Sequence, residues 1–265
     1  MSDDLRFQKA QDIVKEAGTF ALNFFNNLSD LNVEDKGPQD FVTEADKADK
    51  AVELLIREAI TKYFPEDGIV GEEHSIKASS SSYTWVIDPI DGTTNFINAI
   101  PAWTVVIAIV KDGVTQIGIT HDPVHNETFS AMLGAGAFLN KTQIFCNPNT
   151  NLNRGTIGTD FSNRVSTKGI KKLINLIFEE GGMYHRNASC ALSLAYVASG
   201  RLLGYIEEHL NAWDCLAGQL LISEAGGQIE KQDTNKMIQR GGRVVVGSSG
   251  VFDQLVKMAN KAFKD

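Results

Sequence analysis

Two aspartates three residues apart, Asp88 and Asp91, stand at the end of the apolar run Trp85-Val86-Ile87 and lead straight into Gly92-Thr93-Thr94-Asn95. Hard divalent cations take oxygen ligands, so these carboxylates and the backbone carbonyl of Ile90 between them can converge on one or two ions. Pro89 stiffens the curve that joins them. Gly92 has no Cβ to block close approach, and Thr93 and Thr94 can open a helix whose free N–H groups point at an anion. One short segment thus has the makings of a joint metal and phosphate site. Asp-Pro and Asp-Gly pairs also mark ordinary turns, a reading that this segment alone leaves open. An EF-hand loop does not fit, since Ile87 stands where the first ligand belongs. A loop of the Asp-x-Asp-Gly-Thr kind, whose first aspartate is a covalent nucleophile, fails too: here two residues separate the aspartates.

Further acids lie at element ends. Thr43-Glu44-Ala45-Asp46 opens a helix, Gly71-Glu72-Glu73-His74 closes a short strand, and Asp214 follows Trp213 at the start of another helix. Each has an ordinary alternative: Thr43 with Asp46 is a capping pair, and Asp214 complements a helix dipole or caps it. Adjacent acids on a strand point to opposite faces, so at most one of Glu72 and Glu73 faces a given metal. His74 reads as part of a solvated polar loop. A hollow holding Asp46, Glu72, Glu73, Asp88, Asp91 and Asp214 would repel an anion unless bound cations reversed its potential. The formal net charge of −8 argues in the same way against nucleic acid as a partner, because no basic stripe is available to neutralise phosphates.

The elements that must position these acids follow from periodicity. Apolar residues at Ala10, Ile13, Val14, Ala17, Ala21, Phe24, Phe25 and Leu28 predict an amphipathic helix over 5–28. A second helix from Thr43 carries Ala48, Val52, Leu55, Ala59 and Tyr63 on one face. Strands are expected at 69–70, 83–87, 104–110, 114–120 and 127–132, with Lys111-Asp112-Gly113 as a hairpin turn, and such tight succession implies antiparallel pairing. The run 77–82, KASSSS, reads as a flexible surface loop. The second half alternates: strand 156–159, helices near 166–180 and 189–199, strand 202–207, helix 213–225, strand 243–246 and a final helix from Val251. Gly134-Ala135-Gly136-Ala137-Phe138 hints at a dinucleotide loop, but Leu139 replaces the third glycine and no acid follows at the required distance. The whole is expected to be one domain with two lobes, 1–150 and 151–265; at 265 residues and 43% apolar content it can bury a sizeable core. Cys146, Cys190 and Cys215, odd in number and without Cys-x-x-Cys spacing, fit reduced thiols. With no basic-plus-apolar leader and no apolar run of membrane-spanning length, the cytoplasm is the expected location and no membrane partner is expected.

DPIDGTTN at 88–95 does not stand alone. With GEE at 71–73 upstream and AWDCLAGQLLISEAGG at 212–227 downstream, the chain resembles the inositol monophosphatase family, and the motifs keep order and separation from Lys36 and TEAD at 43–46 to Gly227. The resemblance implies an α+β fold, a layered αβαβα sandwich with mixed, largely antiparallel sheets. It implies Mg²⁺-dependent hydrolysis of a small phosphate monoester, with two or three Mg²⁺ per subunit, inhibition by lithium, and a homodimer. Carried over by motif position, it makes Glu72, Asp88, the carbonyl of Ile90, Asp91 and Asp214 metal ligands, with Asp46 at a third, weaker site. Glu72, Thr93 and Asp91 become the catalytic residues, Glu72 and Thr93 aligning the attacking water.

The same resemblance places the Gly92 and Thr93 amides on the phosphate, with Asp91 and Asp214 beside it and Ser189, Cys190 and Glu207 on the sugar side. At 188–191 the family usually has Gly, then Ser or Thr, then two Ala; Ala188 and Cys190 depart from that pattern, as Glu208 and His209 do from the small residues common after the glutamate. The expected function is a phosphoric monoester hydrolase of the inositol-phosphate phosphatase type, acting on myo-inositol 1-phosphate without phosphorylating a side chain. The alternatives are the same chemistry on histidinol phosphate, fructose 1,6-bisphosphate or a nucleotide 3′-phosphate, and a non-catalytic metal-binding regulatory protein.

Overall fold

The computed structural model describes residues 2–28, 44–149, 151–161 and 165–263, the side chains of 44–46 excepted. Lys36, Thr43 and the side chain of Asp46 therefore lie outside the described residues. Five layers stack in the order helix, sheet, helix, sheet, helix. The outer pair is α1 (Asp3–Asn26) and α2 (Glu44–Tyr63). Beneath it runs a seven-stranded sheet of β1 (Gly68–Gly71), β2 (Tyr83–Asp91), β3 (Thr104–Lys111), β4 (Val114–Asp122), β5 (Glu127–Met132), β6 (Ala137–Leu139) and β7 (Thr142–Gln143), in sequence order. All its pairings are antiparallel except β1 with β2. A short helix, α3 (Thr93–Ile97), follows β2.

The second sheet orders its five strands β11-β12-β10-β8-β9, comprising β8 (Thr156–Thr159), β9 (Met183–His185), β10 (Gly204–Leu210), β11 (Gln228–Ile229) and β12 (Gly242–Gly247). Between the sheets lie α5 (Cys190–Ala198) and α6 (Ala212–Glu224), and α4 (Thr167–Glu179) and α8 (Phe252–Ala262) close the far side. A seven-residue helix, α7 (Thr234–Arg240), packs on α6. Among the described residues, no helix is long and apolar enough to cross a membrane.

Strand alternation builds this stack, because successive side chains point to opposite faces. Trp85, Ile87, Val105, Ile107 and Ile109 pack under α1 and α2, whereas Val86, Val106, Ala108 and Val110 pack against α5 and α6. In the second sheet Tyr205, Val244 and Val246 meet the same middle layer, and Ile206 and Val245 meet α4 and α8. Gly118 lets α6 lie directly on β4: a Cβ there would sit 2.6 Å from the Ala217 carbonyl oxygen. That close approach fixes the depth of the helix that carries Asp214.

A buried ion pair ties α1 to the sheet. Arg6 donates from Nε and Nη2 to the two carboxylate oxygens of Asp67, both at 2.9 Å, and its guanidinium lies 3.5 Å from the Tyr83 ring centre. Trp85 Nε1 and the Ser81 hydroxyl complete the bonds to Asp67. The serine-rich run is at the surface as expected, yet it is stitched down rather than loose: Ser79 Oγ donates to the Tyr83 carbonyl at 2.8 Å, and Lys77 exchanges backbone bonds with Ile69.

Candidate active site

Asp88 and Asp91 do not sit in a turn after a strand. They end the strand itself, which runs through to Asp91. Asp88 pairs with Val106 and Asp91 with Thr104, three residues on β2 against two on β3. That extra residue is a bulge, and it matters: at a spacing of three, a regular strand would aim the two carboxylates at opposite faces. Pro89, which has no N–H to give a ladder, is tolerated at such an irregularity. The Ile90 N–H donates to Asp88 Oδ1 at 3.1 Å, holding the bulge closed.

Asp88 lies on the face of Val86, toward the middle layer, where the first turn of α6 brings Asp214. One carboxylate oxygen from each of Asp88, Asp91 and Asp214 lies within 4.8 Å of the others. Asp214 also caps its helix, accepting from the Asn211 N–H at 2.8 Å through Oδ2. The cap expected of that residue is therefore formed. Asp91 is fixed by four donors: the Ser189 hydroxyl, the Ala191 N–H at 2.9 Å, the Cys190 N–H at 3.2 Å and the Thr104 hydroxyl at 3.4 Å. Three of these come from the start of α5, so that helix orients a carboxylate on the neighbouring sheet.

Gly92 follows at φ +99°, where a side chain would be strained and its Cβ would press to 3.0 Å from the Ala102 carbonyl oxygen. Thr93 then points its hydroxyl at the Ile90 carbonyl (3.2 Å) and at Asp49 Oδ2 (3.4 Å). Asp49 is the residue that sequence reasoning missed. It is 2% exposed on α2, three residues beyond Asp46 in sequence, and its other oxygen, Oδ1, is buried without a hydrogen-bond partner among the described residues. The available signal was a second acid three residues after the first.

Burial, first of all, pushes the Asp88 carboxyl well above its usual range, and the charges of Glu72, Asp91 and Asp214 push it further. Burial likewise raises Asp91 to about 6 despite its hydrogen bonds, and raises Asp49 strongly, with Glu72 and Glu73 adding to the effect. Glu72 lies on the cavity wall with Thr93 and Asp214, close enough to act on both. The Glu73 N–H, with that of His74, is held by the buried Glu53 carboxylate, which also accepts from Arg57. Asp49, Asp88 and Asp91 take part in no ion pair among the described residues. Crowded, buried, hard-oxygen donors with an orphaned carboxylate oxygen fit divalent cations, whose charge would relieve the mutual repulsion.

The cavity above these acids measures about 290 Å³ and is lined by Glu72, Gly92, Thr93, Asp214, Glu207 and Cys190 among others. Ser189, expected on the sugar side, is not on that wall. It is 1% exposed and its hydroxyl goes to Asp91, so it supports the site from behind. Glu207 and Cys190 do reach the wall, but they hold each other: the Cys190 thiol donates to Glu207 Oε2 at 3.3 Å, and the Tyr205 hydroxyl donates to the same oxygen. Sequence reasoning had no sign of Tyr205, of Asp160, or of Arg186, whose Nε meets Asp160 Oδ1 at 2.9 Å at the cavity edge.

Burial raises the Glu207 carboxyl to about 7, more than the Tyr205 bond lowers it. A folded-state value above the unfolded one, 4.5, means that folding takes up a proton; stability is therefore lost as pH rises from about 4.5 to 7. In chelator, Glu207→Gln should gain thermal stability over the parent across that window, approaching about 3 kcal/mol at pH 8. A difference in Tm that stays constant from pH 5 to 8 would refute this.

A sequence profile of the Inositol monophosphatase family matches residues 4–262. The chain is 35% identical over 246 residues to the Nus factor SuhB of Escherichia coli, covering 91% of each protein. It is 34% identical over 245 residues to the inositol-1-monophosphatase of Rhizobium meliloti, again 91% of each. The solved inositol monophosphatase of Anabaena superposes with a TM-score of 0.84 at 28% identity, covering 98% of this chain and 96% of that one.

Proposed function

Because the chain belongs to the inositol monophosphatase family, we propose that it is a Mg²⁺-dependent phosphatase that hydrolyses myo-inositol 1-phosphate to inositol and phosphate. The observation that carries this reading is the trio Asp88, Asp91 and Asp214, gathered within 4.8 Å beside an open cavity of small-molecule size. Two magnesium ions would be held by Glu72, Asp88, the Ile90 carbonyl, Asp91 and Asp214. A third would draw on Asp46, as motif position suggests, and on the Asp49 oxygen that has no hydrogen-bond partner among the described residues. Bound magnesium supplies the positive charge that draws a phosphate dianion into an acidic hollow and stabilises charge developing on its oxygens.

The remaining work falls to the chain's own groups. Thr93, its hydroxyl polarised by Asp49, orients the attacking water, and Glu72 takes the proton that this water loses. The Gly92 and Thr93 amides hold the phosphate. The water oxygen bonds to phosphorus as the ester P–O bond breaks, and the departing alkoxide takes a proton from a second water. No side chain is phosphorylated. Glu207 meets the hydroxyls of the substrate, and the Cys190 thiol that shares its carboxylate narrows that end of the cavity. The molecule acts as one domain with two lobes, in the cytoplasm and as a homodimer, and lithium inhibits it by competing for a magnesium position.

Thr93→Val keeps the shape and removes the hydroxyl, so kcat should fall about a hundredfold with KM nearly unchanged. Unchanged kcat would take Thr93 out of the mechanism. Substrate choice is tested by phosphate release, with Mg²⁺ and with chelator, from inositol 1-phosphate, histidinol phosphate, fructose 1,6-bisphosphate and a nucleotide 3′-phosphate. Fastest release from the inositol ester is expected; preference for another ester reassigns the substrate, and release from none removes the enzymatic reading. The Escherichia coli relative's name, Nus factor, favours that non-catalytic reading as the second choice.

A further inference from the structure

A second cavity, of about 350 Å³, opens where α1 only partly covers the end of the seven-stranded sheet. Its walls follow from two periodicities. Phe7, Gln11 and Lys15, four residues apart, form one stripe of α1, and Thr128, Ser130 and Met132, two apart, form the face of β5 that looks toward that helix. Phe138 on β6 adds a second aromatic wall, and Asn126, Asn140 and Lys141 stand at the end.

The charge of this cavity is the reverse of the molecule's. The chain carries 33 acidic and 25 basic residues, yet among the described residues two lysines and no carboxylate line the cavity. Neither ammonium group is in an ion pair among the described residues. Ser130, a largely buried residue, contributes a hydroxyl to the same wall. The rim is also built rather than incidental. The Gly134-Ala135-Gly136 turn, which no dinucleotide reading explains, is pinned by the Gly134 and Gly136 N–H groups to the two oxygens of Glu224, each at 2.8 Å.

We propose that this cavity is a binding site for a small organic anion with a flat apolar body. The carboxylate or sulfonate end would meet Lys15, Lys141 and the Ser130 hydroxyl, and the body would lie between Phe7 and Phe138. Glu224 ends the helix whose first turn carries Asp214, so the rim is attached to the same helix as one of the three acids.

The test uses 2-naphthoate and its neutral counterpart 2-naphthylmethanol, titrated calorimetrically into the whole protein with chelator present, so that the acidic hollow repels the anion. One equivalent of naphthoate should bind, more tightly than the alcohol. K15E/K141E should weaken naphthoate roughly tenfold or more without lowering Tm, because both lysines are exposed. K15R/K141R should retain it, as should the distant reversal K62E/K231E. The proposal is overturned if naphthoate shows no saturable binding, if the alcohol binds as well, or if K15E/K141E leaves its affinity intact.

Discussion

Asp91→Asn should lower kcat by about a thousandfold, equivalent to ~4 kcal/mol of transition-state stabilisation. The substitution keeps size and shape but replaces one carboxylate oxygen by an NH₂ group. Asp91 receives four hydrogen bonds and gives none, from Ser189, Cys190, Ala191 and Thr104. An amide in that pocket turns a donor toward donors and removes a negative charge from the trio with Asp88 and Asp214. Both effects weaken the hold on a cation that neutralises the departing oxygen. If that stabilisation exists only in the transition state, kcat and kcat/KM fall together and KM stays near its original value. A folded Asp91→Asn protein, checked by its melting curve, that turns over at more than a tenth of the parent rate would contradict the assignment.

Arg6→Ala should cost 3–5 kcal/mol of stability, the range for breaking one side of a buried ion pair. For a chain of this size that is a fall in Tm of about 10 °C. Asp67 would remain buried, held only by Trp85 and Ser81, while the stacking on Tyr83 is lost as well. Burial pushes the Asp67 carboxyl up, but the bonds from Arg6, Trp85 and Ser81 outweigh it and hold it below the usual value of 3.8. A depressed folded-state value contributes stability above pH 3.8 that is lost as pH falls through it. The Arg6→Ala penalty should therefore be full at neutral pH and shrink in acid. Equal penalties at pH 7 and pH 3 would show that packing, not charge, is what Arg6 supplies.

Much of this architecture was legible because long elements with strong periodicity declare themselves. The α1 stripe, the β3–β4 hairpin and the helices ending at glycine lie where hydrophobic spacing puts them. What escaped was short or set by distant contacts. Three-residue β9 and two-residue β11 have no period to detect, and α7 is under two full turns. The β2 bulge is invisible because a proline between two aspartates reads first as a turn; only pairing with β3 carries the strand through it.

The site shows the same division. Motif position brought out Glu72, Asp88, Asp91, Thr93 and Asp214, all of which the fold gathers around one hollow. It did not bring out Asp49, whose contact with Thr93 depends on how α2 docks against β2. Nor could it tell that the Ser189 hydroxyl serves Asp91 rather than the cavity, because that depends on how α5 docks against β2.

The central claim is that Asp88, Asp91 and Asp214 together hold divalent cations. Calorimetric titration of Mg²⁺ into chelator-treated protein tests it most directly, with Asp88→Asn alongside. At least two equivalents should bind the parent protein, and Asp88→Asn should lose most of that binding while keeping its fold. A parent protein that takes up no Mg²⁺, or an Asp88→Asn protein that takes up as much, would contradict the account.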